Sequence, residues 1–214
     1  LGRTHRIAYC IQELFDTRKA KPIPVFVDSP LALRITNIYR EYPGDFTRTA
    51  KRLMNRDPEY FGSPHIHYCQ TWDDSRRLND MDGPLIIIAS SGMCDAGRVR
   101  HHLRHVVEDP NNAIVIVSYQ AEKTLGRKIA EGAEQINIMD QTYDLNAAVY
   151  VLDGFSAHAD QDDLRWWFSQ TGGNIHQAFL VHGEPEQMRA LQPVLAEFVT
   201  GDVQIPDRLQ TYDL

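Results

Sequence analysis

The chain has 214 residues, 43% of them apolar and 24% charged, a composition close to that of ordinary globular proteins and far from the low hydrophobicity that leaves a chain disordered. Its apolar runs, such as Leu85 to Ala89 and Ala113 to Val117, fall well short of the roughly 20 residues of a membrane span. Three scattered cysteines, Cys10, Cys69 and Cys94, suggest neither a disulfide framework nor a thiolate zinc site. No membrane partner is expected, and a reducing cytoplasm is the expected setting. The net charge of −7 hides a split: residues 1–143 carry 19 Lys and Arg against 18 Asp and Glu, whereas residues 144–214 carry 3 against 11. One near-neutral module able to meet a polyanion and one acidic module fit this asymmetry, and an acidic solvated surface fits the second equally well. The opening Leu1-Gly2-Arg3-Thr4 has no Met, no basic n-region and no apolar h-region, and reads as the start of a cut fragment.

In chain order, Ile7, Ala8, Ile11, Leu14 and Phe15 form a stripe of helical period over residues 3–17. Pro22 to Val27 reads as a short buried strand, and Ser29-Pro30 as a helix start, with Ser29 the cap and Pro30 the first helical residue. Helix continues over residues 31–42, and residues 43–64, punctuated by Pro, Gly and Arg, predict a further short helix and a loop. Ile66 to Cys69 predicts an edge strand, residues 72–81 a polar helix, Leu85 to Ala89 a fully buried strand, residues 97–107 a helix and Ala113 to Tyr119 another buried strand. Apolar strands alternating with helices on short connections are the pattern of an α/β fold with a parallel sheet. Beyond residue 140 come a strand at 147–152, a loop at 154–160, a helix at 162–168, a strand at 178–181 and a helix at 185–199.

Two histidines stand in loops just after predicted strands, His158 in Gly154 to Asp160 and His182 in Leu180 to Glu184. A rigid sheet rim suits an imidazole acting as metal ligand or general acid, and a histidine there also serves simply to cap a backbone group. Two histidines give only part of the three or four ligands that zinc requires. His65-Ile66-His67 has the HxH spacing of many zinc sites but no acidic sequel, so it reads as part of an edge strand. His101, His102 and His105 lie on a basic helix without a Glu between them, which favours solvent or RNA phosphates over a metal. Asp28-Ser29 and Ser90-Ser91 both sit where a strand gives way to a helix. Hydroxyls and N–H groups there hold anions or cap the helix. Neither Ser91 nor Ser156 has the GxSxG surroundings of a serine hydrolase.

Taken together, Gly2-Arg3-Thr4, Pro24 to Ala32, Ala89 to Met93 with Gly97-Arg98 and His101-His102-Leu103, Gly154 to Asp160, and Leu180 to Glu184 resemble, in order, the β-CASP family of metallo-β-lactamase-fold RNA nucleases. The prokaryotic relatives of the cleavage and polyadenylation specificity factor nuclease look closest. The resemblance implies a parallel-sheet β-CASP domain over residues 1–143 and the C-terminal part of a metallo-β-lactamase αβ/βα fold over residues 144–214. It implies a zinc-dependent hydrolase of single-stranded RNA using two zinc ions, with His158 as general acid or phosphate stabiliser and His182 as a zinc ligand. Ser29, Ser90, Ser91, Arg98, His101 and His102 are the expected contacts to RNA phosphates. The HxHxDH motif of the family is absent from this sequence, so the chain alone is expected to be inactive, to hold zinc incompletely or not at all, and to leave apolar edges for a missing N-terminal metallo-β-lactamase portion. A homodimer is a candidate assembly. The alternative from a different class is a non-catalytic RNA-binding or scaffolding subunit, which would have no need to keep both histidines at their motif positions.

Overall fold

The computed structural model describes residues 3–48, 50–51, 64–156 and 158–212. They form two compact units, Leu1–Ser156 and Ala157–Leu214. The short helix expected between residues 43 and 64 falls largely outside the described residues.

The first unit begins α1 (Arg3–Asp16), β1 (Val25–Asp28), α2 (Pro30–Glu41), β2 (Ile66–Tyr68), α3 (Trp72–Arg77) and β3 (Ile86–Ala89). The three strands form a parallel sheet in the order β2-β1-β3, with Val25 paired to Ile66 on one side and to Ile86 on the other. His65-Ile66-His67 thus stands at the sheet's edge as expected. Val25, Val27 and Ile66 pack with Ala8, Phe15 and Ala32 into one buried cluster. The α1 stripe departs from the sequence reading at both ends. Leu14 is exposed, and His5, one turn before Ala8, takes an interior place. Its Nε2 donates to Thr36 Oγ1 at 2.8 Å, and that hydroxyl donates in turn to the Ala32 carbonyl at 2.8 Å. Burial holds the His5 imidazole below its ordinary pKa, outweighing a backbone contact at Ala32 that acts the other way.

The unit continues with α4 (Val99–Val106), β4 (Ala113–Ile116), α5 (Leu125–Ala130), β5 (Gln135–Ile138), β6 (Gln141–Asp144) and β7 (Ala148–Val151). Strands β4 and β7 pair in parallel, and β5 and β6 form an antiparallel hairpin. A second core gathers Leu103, Val107, Ile114, Ile116, Leu125, Ile129, Ile136 and Ile138. The α/β class with parallel pairing agrees with the sequence reading, but the coverage of the strands does not. Ile114 and Ile116 are buried while Ala113 and Val115 are exposed, so β4 is covered on one face, and β3 is only half-buried. A continuous apolar run cannot distinguish these cases, because the second face depends on what packs there. The hairpin has alternation in Gln135-Ile136-Asn137-Ile138, both isoleucines buried. The sequence reading assigned no strand there, although this period of two was the signal available. Because β7 lies beside β4, the chain as far as Ser156 belongs to the first unit.

The second unit contains α6 (Gln161–Ser169), β8 (Ala178–Phe179), α7 (Pro185–Ala196) and β9 (Val203–Gln204). β8 and β9 pair in parallel, and Ala178, Leu195 and Val203 form its small core. Helix α6 starts on a reciprocal capping box. The Asp163 N–H donates to Asp160 Oδ1 at 2.9 Å, and the Asp160 N–H donates to Asp163 Oδ2 at 3.4 Å. Trp166, 65% exposed, and Trp167 face solvent on this helix. No helix among the described residues is long and apolar enough to cross a membrane.

Candidate functional site

In parallel strands the C-terminal ends lie on the same side of the sheet, and that is where α/β folds usually place their chemistry. β1 ends at Asp28 and β3 ends at Ala89, opposite each other in register. The turns that follow are therefore neighbours, and Ser90 Oγ donates to Ser29 Oγ at 3.2 Å. Two segments 61 residues apart in sequence, each an anion-turn candidate by itself, meet in one place.

Beneath them lies a polar cluster centred on Asp28, whose side chain is 0% exposed. Arg98 Nη1 donates to Asp28 Oδ1 at 2.5 Å, while Oδ2 accepts from Ser75 Oγ at 2.6 Å and from His102 Nε2 at 2.7 Å. The other ring nitrogen of His102, Nδ1, lies 2.9 Å from Asn79 Oδ1. Burial by itself would raise the Asp28 pKa. The hydrogen bonds from His102, Ser75 and Arg98, with the Arg98 charge, outweigh it and hold the carboxylate below its ordinary value. Asp28 therefore ties the end of β1 to α3 and to the start of α4.

This arrangement revises the expected contacts to RNA. Arg98 and His102 are buried and hydrogen-bonded to Asp28, so they brace the turns instead of presenting a surface to phosphate. The Ser29 hydroxyl caps α2, accepting from the Ala32 N–H at 3.3 Å. Ser91 Oγ donates to the Ala96 carbonyl at 3.1 Å and closes its own loop. At Gly97, φ is +80° and a Cβ would lie 2.4 Å from the Ser90 carbonyl oxygen, so the loop closes only with glycine there. Of the six, Ser90 is exposed and Ser91 and His101 are half-buried, so these three remain nearest to solvent. Ser29→Ala is expected to cost about 1 kcal/mol in urea denaturation with RNA affinity unchanged, the signature of a lost cap. Weaker RNA binding at unchanged stability would restore the phosphate role.

Ser75, Asn79 and Trp72 were not singled out in the sequence as site residues, and Asp28 was read only as part of the anion turn with Ser29. A carboxylate closing the apolar run Val25-Phe26-Val27 was the available signal, since a buried charge demands partners. Trp72 flanks the cluster, with the Arg98 guanidinium carbon 4.7 Å from its ring centroid and the His101 ring edge-on at 5.6 Å. The Cys69 and Cys94 thiols are buried, which pushes each up to about 11, and neither is poised as a thiolate.

In the second unit, His158 is exposed between a 3-10 turn at Asp153–Phe155 and the Asp160 cap of α6. His182 is exposed just beyond β8 with φ of +64°, a left-handed conformation uncommon for a residue other than glycine. Among the described residues no three His, Cys, Asp or Glu side chains gather as metal ligands. The described residues therefore do not fit a complete zinc site.

Residues 4–129 match the family model of the Beta-Casp domain, and residues 142–206 match that of the Zn-dependent metallo-hydrolase RNA specificity domain. The chain is 34% identical over 173 residues to ribonuclease TTHA0252 of Thermus thermophilus, covering 81% of this chain and 39% of that protein. It is 29% identical over 220 residues to transcription termination factor FttA of Pyrococcus abyssi, covering 100% and 34%, and 30% identical over 190 residues to FttA of Methanocaldococcus jannaschii, covering 86% and 30%. The chain thus spans between about a third and two fifths of the length of these relatives.

Proposed function

Because this chain belongs to the Beta-Casp family, we propose that it is part of a zinc-dependent ribonuclease that hydrolyses phosphodiester bonds in single-stranded RNA. Within it, residues 1–143 are the β-CASP domain and residues 144–214 a segment of the metallo-β-lactamase domain, a boundary that follows the family models and leaves β7 packed in the first compact unit. The observation that carries the reading is His182 in a left-handed conformation at a strand end, inside the segment matched by the Zn-dependent metallo-hydrolase RNA specificity domain. A non-glycine residue stays in that region only where its surroundings require it, and such positions cluster at functional sites.

His182 supplies one zinc ligand, and the remaining ligands come from outside the described residues, which gather no metal cluster of their own. His158 acts as general acid, its imidazole giving a proton to the oxygen that leaves phosphorus. Its loop is suited to this because the capping box of α6 pins one end two residues away. Exposed Trp166, Trp167 and Val181 are surfaces that the rest of the protein covers.

The experiment is zinc content and cleavage of labelled single-stranded RNA, measured on this chain and on the whole protein. Zinc and cleavage are expected in the whole protein, with neither in the chain alone, and His182→Ala is expected to lower zinc content in the whole protein. Unchanged metal stoichiometry in that variant removes His182 from the ligand set. RNA binding without zinc or cleavage in the whole protein would favour a non-catalytic RNA-binding subunit.

A further inference from the structure

Helix α4 carries Arg100, His101, His102, Arg104 and His105 with no carboxylate, in a chain whose net charge is −7. Beside it runs a groove of about 420 Å³, lined by Trp72, Ser75, Arg76, Asn79, His101 and His105. That volume lies in the range of small-molecule and nucleotide pockets, ~300 to 1,000 Å³. Trp72 stays 54% exposed although its ring is held by the Arg98 guanidinium and by His101. Arg98 is itself anchored on Asp28, so the indole rests on a buried ion pair. An aromatic ring held in place but left open to water is a stacking platform that gives up little further rotamer freedom on binding.

The charges beside the ring favour one kind of occupant. Among the described residues Arg76 pairs only with Asp73, at 3.6 Å, both side chains 77% exposed. Exposed pairs of this kind contribute little, so Arg76 can turn to a phosphate at small cost. His101 is held below its ordinary pKa mainly by burial, with the charges of Arg104, His102, Arg100 and His105 acting in the same direction. A planar ring beside the guanidiniums of Arg98 and Arg76 suits a base and its phosphate, the pairing used by single-strand binding surfaces.

We propose that this groove holds one nucleotide of a single-stranded RNA, its base stacked on Trp72 and its phosphate against Arg76 and His105. The proposal rests on the RNA reading above and adds a base-stacking subsite on the first unit.

The test is a titration of the 214-residue chain with a single-stranded uridine hexamer, followed by NMR of the indole N–H groups. The Trp72 signal is expected to move while those of Trp166 and Trp167 stay. Trp72→Ala is expected to weaken binding by ~10-fold or more, and Trp72→Phe to retain most of the affinity because an aromatic face remains. Arg76→Ala should reduce the slope of log affinity against log salt by about one. The Phe variant and Arg76→Ala leave the Asp28 ion pair in place, so the proposal stays testable if Trp72→Ala unfolds. Absence of binding, shifts confined to Trp166 and Trp167, or equal affinity in the Trp72→Phe, Arg76→Ala and parent chains together with an unmoved Trp72 signal would overturn it. The nuclease reading fails separately: a whole protein that binds the hexamer through Trp72 but does not cleave RNA would retain the groove and lose the enzyme.

Discussion

His158→Ala in the whole protein is expected to lower the rate of RNA cleavage by ~10²- to 10⁴-fold, the usual contribution of a general acid, while RNA affinity stays close to that of the parent. The side chain is exposed in a loop that ends on the Asp160 capping box. Its removal gives up little buried surface, and a thermal melt of the variant checks the fold. Proton donation is distinguished from phosphate stabilisation by the leaving group. A ribose alkoxide needs a proton as it departs, whereas 4-nitrophenolate departs without one, so the defect should shrink sharply on a 4-nitrophenyl phosphodiester if His158 is the acid. If His158 instead stabilises the phosphate, the defect should be equal on both substrates. Turnover equal to the parent on RNA would remove His158 from the mechanism.

Asp28→Asn should strongly destabilise the first unit. It leaves the Arg98 guanidinium, with only 7% of its side chain exposed, without its carboxylate, and it weakens the His102 and Ser75 contacts at the same time. Breaking a buried ion pair from one side costs about 3 to 5 kcal/mol. For a chain of this size each kcal/mol moves the melting temperature by about 2 to 4 °C, so a fall of roughly 6 to 20 °C is expected in a thermal melt followed by circular dichroism. Replacing both partners with apolar residues, as in Asp28→Leu with Arg98→Met, should recover part of that loss because no charge is left buried alone. A melting temperature within about 2 °C of the parent would show that the cluster does not hold the unit together.

The same carboxylate gives the first unit an acid limb. Its folded pKa lies below the ordinary 3.8, so between the two values the unfolded chain binds more protons than the folded one. The stabilisation from Asp28 is then complete above about 3.8 and is lost as the pH falls below it toward the folded value. The Asn variant lacks this contribution, so its stability should fall less steeply with acid than that of the parent.

Much of this protein was legible along the chain. Short-range patterns determine the helices and strands: Ser29-Pro30 marks the start of α2, the runs at Val25 and Ala113 become strands, and His65-Ile66-His67 pairs at a sheet edge. Motifs in order, from Pro24 through His182, were sufficient to indicate the family, because a motif is a local arrangement of residue types. The tertiary structure alone decided what those residues face. Asp28 meets Ser75, Arg98 and His102 across sequence separations of 47, 70 and 74 residues. Nothing in the spacing announces that Arg98 and His102, which read as a basic surface for RNA, turn inward to a carboxylate. Strand order brings those groups together, and the neighbours on each face determine whether a charged side chain meets water, an ion or an aromatic ring. Burial and partnership are properties of the assembled sheet, whereas helix and strand follow from local period and caps.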